Sequence, residues 1–161
     1  MVNLRDADAN DVGFLTEMLA VAADWRPGAQ SRTPDEILRD PEIAHYIDGW
    51  PRTGDCGVIA HVGDPVGAAW FRFLPFTDRG YGYVADDVPE ITLGVRQGHR
   101  GRGIGHALLR RLVERAREAD LRAMSLSVEE DNPAMGLYER VGFVAVDHAR
   151  GAATMVLHLA R

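Results

Sequence analysis

The run Leu93-Gly94-Val95-Arg96-Gln97-Gly98-His99-Arg100-Gly101-Arg102-Gly103-Ile104-Gly105-His106-Ala107-Leu108-Leu109 decides how this chain is read. A short apolar strand enters an Arg/Gly turn, and the turn opens a helix. Gly101, Gly103 and Gly105 stand where the turn tightens. Without Cβ atoms they let the backbone curl until several N–H groups point at one spot. The first turn of a helix leaves N–H donors unpaired and carries the positive end of the macrodipole. Together these features cradle phosphate, and Arg100 and Arg102 add guanidinium forks for its oxygens. An anionic cofactor is expected here.

The spacing separates the possible owners of such a cradle. A P-loop ends in Gly-Lys-Ser/Thr, and this chain has no lysine, which also removes a Schiff-base lysine. The dinucleotide fingerprint Gly-x-Gly-x-x-Gly/Ala fails, because its last place falls on His106 or Leu108. The pattern Arg/Gln-x-x-Gly-x-Gly/Ala is filled by Arg100, Gly103 and Gly105. It resembles the pyrophosphate-binding motif of the GCN5-related N-acetyltransferases, the GNAT superfamily. An ordinary glycine-rich turn fits the glycines alone as well, so a second match matters. Ala123–Val128 reads as a strand with Met124, Leu126 and Val128 on one face. It leads to Asn132-Pro133-Ala134-Met135-Gly136-Leu137-Tyr138-Glu139-Arg140-Val141-Gly142-Phe143. There Asn132 suits an N-cap, Pro133 the first helical position and Gly142 a left-handed stop. This segment is similar to the one that closes the GNAT cofactor site. The resemblance is close from Glu90 to Phe143 and elsewhere rests on element order.

Around these motifs the chain reads as one domain, residues 1–161, long enough to enclose a core. Hydrophobic and charged fractions of 46% and 26% are ordinary for a globular protein. A net charge of −6 argues against nucleic acid or an anionic membrane as partner. No stretch is apolar enough to span a bilayer, and no charged-then-apolar leader opens the chain, so the cytoplasm is the expected compartment. The single cysteine, Cys56, excludes a disulfide framework and a cysteine-rich zinc site. Its natural reading is a buried structural residue. His99 and His106 lack a third ligand at metal spacing, so no metal is expected. Arg110, Arg111, Arg115 and Arg117 read as a solvated helix face.

Hydrophobic periodicity and turn signals give the remaining elements. A strand is expected over 2–5 and a helix over 11–24. A second helix starts at the Thr33 cap with Pro34 in its first position, and a further turn or two covers 42–47. Two strands follow, 57–62 and 66–74, around a Gly63-Asp64 turn, then a loop over 76–88. Strand 90–95 leads into the cradle helix, whose apolar face is Leu108, Leu109, Leu112, Val113 and Ala116. Strands over 143–147 and 154–159 finish the chain. The fold class is α/β (α+β). It is expected as a mixed, mostly antiparallel sheet flanked by helices, in the order β-α-α-β-β-β-α-β-α-β-β, which is the GNAT order.

The resemblance implies an acetyl-CoA-dependent N-acetyltransferase acting on a primary amine of a small molecule, by direct attack in a ternary complex. A protein N-terminal amine, or a silent acyl-CoA-binding sensor, stands as the alternative. A small-molecule amine is thus the expected partner, and a homodimer is left open. The chemistry needs a neutral amine, whose free pKa is about 10, donors for an oxyanion, and a proton for the leaving thiolate. By resemblance Glu90 is the general base, unless a water chain replaces it. The residue reads otherwise as a solvated strand-end carboxylate. Tyr138 is by resemblance the general acid, and otherwise a core aromatic. Leu93, Gly94 and Val95 hold the place where main-chain groups pair with pantetheine. Gly94 in a strand reads as a bulge or a close ligand approach. Arg100, Gly101, Arg102, Gly103, Ile104, Gly105 and His106 fall to the pyrophosphate, and Asn132 to the cofactor or simply to a helix cap. The acceptor pocket is expected among Trp25, Arg26, Trp50, Trp70, Arg72, Tyr81, Tyr83, Asp86 and Asp87. There aromatic and acidic side chains suit an amine.

Overall fold

The computed structural model describes residues 1–159. Seven strands form one sheet: β1 (Asn3–Asp6), β2 (Cys56–Val62), β3 (Asp64–Arg72), β4 (Glu90–Val95), β5 (Ala123–Glu129), β6 (Val144–Ala149) and β7 (Ala152–His158). Their order in space is β1-β2-β3-β4-β5-β7-β6. Every neighbouring pair is antiparallel except β4 and β5. A parallel pair needs a crossover, and helix α4 (Ile104–Glu118) supplies it.

Two apolar cores follow from the alternation of side chains along the central strands. On one face Ala69 and Phe71 of β3 and Ile91 of β4 pack with Leu108, Leu109 and Leu112 of α4. These three leucines recur at helical spacing and have no exposed surface, each worth about 1.5–3 kcal/mol when buried. Helix α5 (Ala134–Val141) lies on the same face through Tyr138 and Leu137. On the other face Ala68 and Trp70 meet Leu15, Met18 and Leu19 of helix α1 (Val12–Ala23). Ile37 of helix α2 (Pro34–Leu38) and Tyr46 and Ile47, just beyond helix α3 (Pro41–Ala44), complete that core. Glu90 belongs to this second face, because Ile91 beside it points to the first.

Local signals account for most boundaries. Thr33 and Glu36 form a reciprocal capping box around Pro34. The Oδ1 of Asn132 accepts the Ala134 N–H at 2.9 Å, and Pro133 already has helical dihedrals. Gly142, at φ 118°, ends α5 with its N–H on the Tyr138 and Glu139 carbonyls. The expected order holds, with α3 as a third short helix between α2 and β2. The β2–β3 hairpin is tighter than expected: Val62 pairs with Asp64, leaving Gly63 alone in the turn at φ 73°. The expected bulge at Gly94 is absent. Gly94 stays in register with Ala68, and a Cβ there would run into the Met18 carbonyl. The glycine is needed because α1 lies directly across β4.

Candidate active site

Strands β4 and β5 part almost as soon as they meet. They share a single register pair, Glu90 with Ser125, with the Ser125 N–H donating to the Pro89 carbonyl at 3.0 Å. Beyond that rung no β5 partner follows β4. Arg96 donates to the Val66 carbonyl on β3 at 2.8 Å, which fixes the phase of the antiparallel ladder. Gly94, Thr92 and Glu90 turn their main-chain groups toward β3, while those of Leu93 and Val95 face the gap. The position expected of Gly94 therefore falls to its two neighbours. Its own N–H and carbonyl belong to the ladder.

The gap is the floor of a cleft of about 1410 Å³ that runs from α1 to the start of α5. At one end lies the glycine turn. Gly101 and Gly103 have φ of 75° and 81°, and Gly103 caps α4. Ala107 is the first residue of the helix to donate to the turn, onto the Gly103 carbonyl at 3.0 Å. Among the described residues the N–H groups of 101–106 find no such acceptor, so they stay available to an anion. A Cβ on Gly105 would sit 3.2 Å from Leu137 Cδ2, so this glycine brings α5 against α4. Arg100, Ile104, His106 and Asn132 line the cleft, as do Leu93, Gly94 and Val95. Arg102 is exposed and does not. The donor set fits a pyrophosphate at the turn and an extended amide chain along Leu93 and Val95.

At the rung where the strands part, Glu90 is 4% exposed. Its Oε2 accepts the Tyr46 hydroxyl at 2.5 Å and the Gly82 N–H at 3.1 Å. Among the described residues Oε1 and the Ser125 Oγ on the adjoining strand are both buried without a partner. Burial pushes the Glu90 carboxyl up to about 7 against the opposing pull of the two hydrogen bonds. Arg72, its register partner on β3, is engaged elsewhere. The guanidinium pairs with Asp55 at 2.6 and 3.0 Å and donates to the His45 and Asp48 carbonyls. Tyr138 also lines the cleft. Its ring packs edge-on to Phe143, and burial raises its hydroxyl well above the ordinary value of 10.

The Acetyltransferase (GNAT) family matches residues 15–143. The chain belongs to this family. A Bacillus subtilis protein with the provisional name [ribosomal protein bS18]-alanine N-acetyltransferase is 38% identical over 144 residues, covering 86% of this chain and 78% of that one. The L-2,4-diaminobutyric acid acetyltransferase of Nocardia farcinica is 26% identical over 147 residues, covering 82% and 73%. The structure of yncA from Salmonella typhimurium, solved with its cofactor acetyl-CoA, superposes with a TM-score of 0.70 at 22% identity, over 100% of this chain and 95% of that one. This GNAT protein is an acetyl-CoA-dependent acyltransferase.

The expected acceptor residues divide. Trp25, Arg26 and Tyr81 line the cleft. Trp50 and Trp70 are core residues whose indole N–H groups bind the Asp8 and Tyr46 carbonyls, and Arg72 is the buried clamp on Asp55. Tyr83 donates to Asp86 at 2.6 Å, and Asp87 forms a two-pronged pair with Arg122. None of Tyr83, Asp86 and Asp87 lines the cleft. Cys56 is half-buried, its thiol pushed up to about 11 by burial, so it stays protonated. Arg115 ties α4 to Asp6 of β1 at 2.9 Å, which a freely solvated face would not do.

Three contributors to this GNAT site were not picked out from the sequence. Tyr46 holds Glu90, and its isolated position after a four-residue helix carries no periodic signal. Gly82 supplies a main-chain donor from a loop. Gly80 lies so close that a Cβ would collide with Glu90 Oε1 and the Tyr46 hydroxyl. The alternation Gly80-Tyr81-Gly82-Tyr83 was its only trace in the sequence.

Proposed function

We propose that this enzyme acetylates the primary amine of a small molecule by direct attack within a ternary complex, with Glu90 as general base and Tyr138 as general acid. The observation that carries this reading is the Glu90 carboxyl. It sits where β4 and β5 part, is raised to about 7 by burial, and has one buried oxygen without a partner among the described residues. A base of that strength takes a proton from an amine, or from a water beside it, near neutral pH. Acetyl-CoA supplies the acetyl thioester. In this reading main-chain groups of Leu93 and Val95 align its amide chain, the 101–106 turn holds its pyrophosphate, and Tyr138 protonates the departing thiolate.

A small acceptor suits the far side of the cleft. Arg26, from the segment after α1, pairs with Asp131 at 2.7 Å and Glu129 at 2.8 Å, tying that segment to the end of β5. The name of the Nocardia relative points to an amino-acid amine. That of the Bacillus relative points instead to a protein alanine, which keeps the N-terminal amine as the second reading. Thiol release from acetyl-CoA, followed with a panel of diamines, amino acids and alanine-initiated peptides, decides between them. Turnover on a small amine with none on the peptides is expected, whereas preference for a peptide reverses the assignment. Binding of coenzyme A with no thiol released on any amine marks a sensor.

A further inference from the structure

We propose that Tyr46 is the positioning residue for Glu90, its hydroxyl fixing one carboxylate oxygen and holding the carboxyl in the charged form that a base needs. The inference rests on the reading of Glu90 as the base and extends it to a residue outside both sequence motifs. Tyr46 follows α3 and is 7% exposed, so its ring is held by the core around Leu15, Trp70 and Leu74. Its hydroxyl makes two bonds. It donates to Glu90 Oε2 at 2.5 Å and accepts the Tyr81 N–H at 2.9 Å. Accepting from a main-chain N–H leaves the phenol proton a single direction, toward Glu90. The Tyr46 phenol is itself held well above 10 by burial and by the carboxylate it faces. It therefore remains a donor throughout the working pH range.

The other groups around Glu90 do not take over this task. From β3, Arg72 is occupied by Asp55 and two carbonyls. From the turn after α3, His45 faces Asp78 at 3.0 Å. From the loop, Tyr81 directs its own hydroxyl to Glu42 at 2.7 Å. Helix α1 buries no ionisable side chain here, β5 offers only the Ser125 hydroxyl, and α5 contributes Tyr138, for which no bond to Glu90 exists. Gly82 N–H is the one further donor, and it reaches the same oxygen as Tyr46. The carboxylate is thus asymmetric: two donors fix Oε2, while Oε1 is buried beside Gly80 with no donor among the described residues. Removing Tyr46's proton lets the carboxylate turn and weakens the charged form that a base needs.

The test reads Glu90 without any acceptor present. Protein labelled with [13C]glutamate at the carboxyl is titrated by NMR, the Glu90 signal being the one lost in Glu90→Gln. A hydrogen bond to the charged form of a carboxyl lowers its midpoint. Tyr46→Phe should therefore move the Glu90 midpoint upward by about one pH unit or more. With the best amine of the panel, the acid limb of kcat/KM should move by the same amount. A Glu90 midpoint unchanged in Tyr46→Phe overturns the proposal, as does a shifted midpoint with an unmoved kinetic limb. Should Tyr46→Phe fail to fold, site-specific Tyr46→3-fluorotyrosine keeps the shape while making the phenol a stronger donor. Midpoint and limb must then move downward, and their staying still is equally fatal. Failure of the base reading is separate: Glu90→Gln with full activity and an unchanged pH profile removes Glu90 from the chemistry, whatever Tyr46 does.

Discussion

Glu90→Gln separates what burial costs the fold from what it gives the reaction. In the folded chain the carboxyl titrates at about 7, against an ordinary value of 4.5. Between those values the folded state holds a proton that the unfolded chain has released. Wild-type stability therefore falls as pH rises from about 4.5 to about 7 and is level above that. Each tenfold step in proton concentration across the interval is about 1.4 kcal/mol. Between pH 5 and pH 8 the wild type should lose about 2–3 kcal/mol through this group. Glutamine has no charge to lose, so the variant's stability relative to wild type should improve by that amount over the same range. Urea unfolding at pH 5 and pH 8 measures the change. Any fixed cost of seating an amide beside Tyr46 and Gly82 cancels in the comparison. A stability difference that is the same at both pH values would show that Glu90 titrates normally in the fold, and the argument for a neutral-range base would collapse. In parallel, turnover should drop by about 10² to 10⁴ while acetyl-CoA affinity holds.

Three further outcomes test other parts of the molecule. Gly103→Val forces a β-branched side chain to φ 81° at the cap of α4. Acetyl-CoA affinity by calorimetry should fall tenfold or more, about 1.4 kcal/mol, with the fold retained. Tyr138→Phe should leave affinity unchanged and lower turnover by about tenfold to several hundredfold. An acyl donor with a more acidic thiol should rescue it in part, and a wild-type rate with chemistry limiting makes Tyr138 a packing residue. Asp55→Asn leaves the Arg72 guanidinium, 1% exposed, without its counter-charge, and should cost about 3–5 kcal/mol in chemical denaturation. A loss under 1 kcal/mol would mean the main-chain carbonyls suffice.

What the sequence discloses here is what the chain encodes over short distances. The cradle is a matter of glycines at fixed spacing before a helix, and its backbone angles at Gly101 and Gly103 follow from that spacing. The cap at Asn132 and the stop at Gly142 are equally local, and so is the apolar face of α4. Contacts across the fold are another matter. Nothing near Gly94 announces that Met18 presses on it, so a strand glycine reads as a bulge until α1 is seen lying across β4. Trp70 and Arg72 read as pocket residues because aromatic and charged side chains carry no label of inside or outside. Only the pairing of Arg72 with Asp55, 17 residues upstream, shows it to be a core clamp. Tyr46 meets Glu90 across 44 residues, a separation at which no periodicity survives.

The two groups assigned to the chemistry owe their properties to one cause acting in two directions of use. Desolvation penalises the charged form of any acid. For Glu90 this lifts a carboxylate too weak to hold an amine's proton into the neutral range, where a base is effective. For Tyr138 it holds a phenol protonated, so that a donor is always present when a thiolate leaves. The difference lies in what opposes the burial. Glu90 has Tyr46 and Gly82 pulling its charged form back, which stops the rise near 7. For Tyr138 burial stands alone. That opposition adds to the gap between the ordinary values of 4.5 for the carboxyl and 10 for the phenol. The Tyr46 hydroxyl is therefore one of the two donors that hold the Glu90 carboxyl near neutrality.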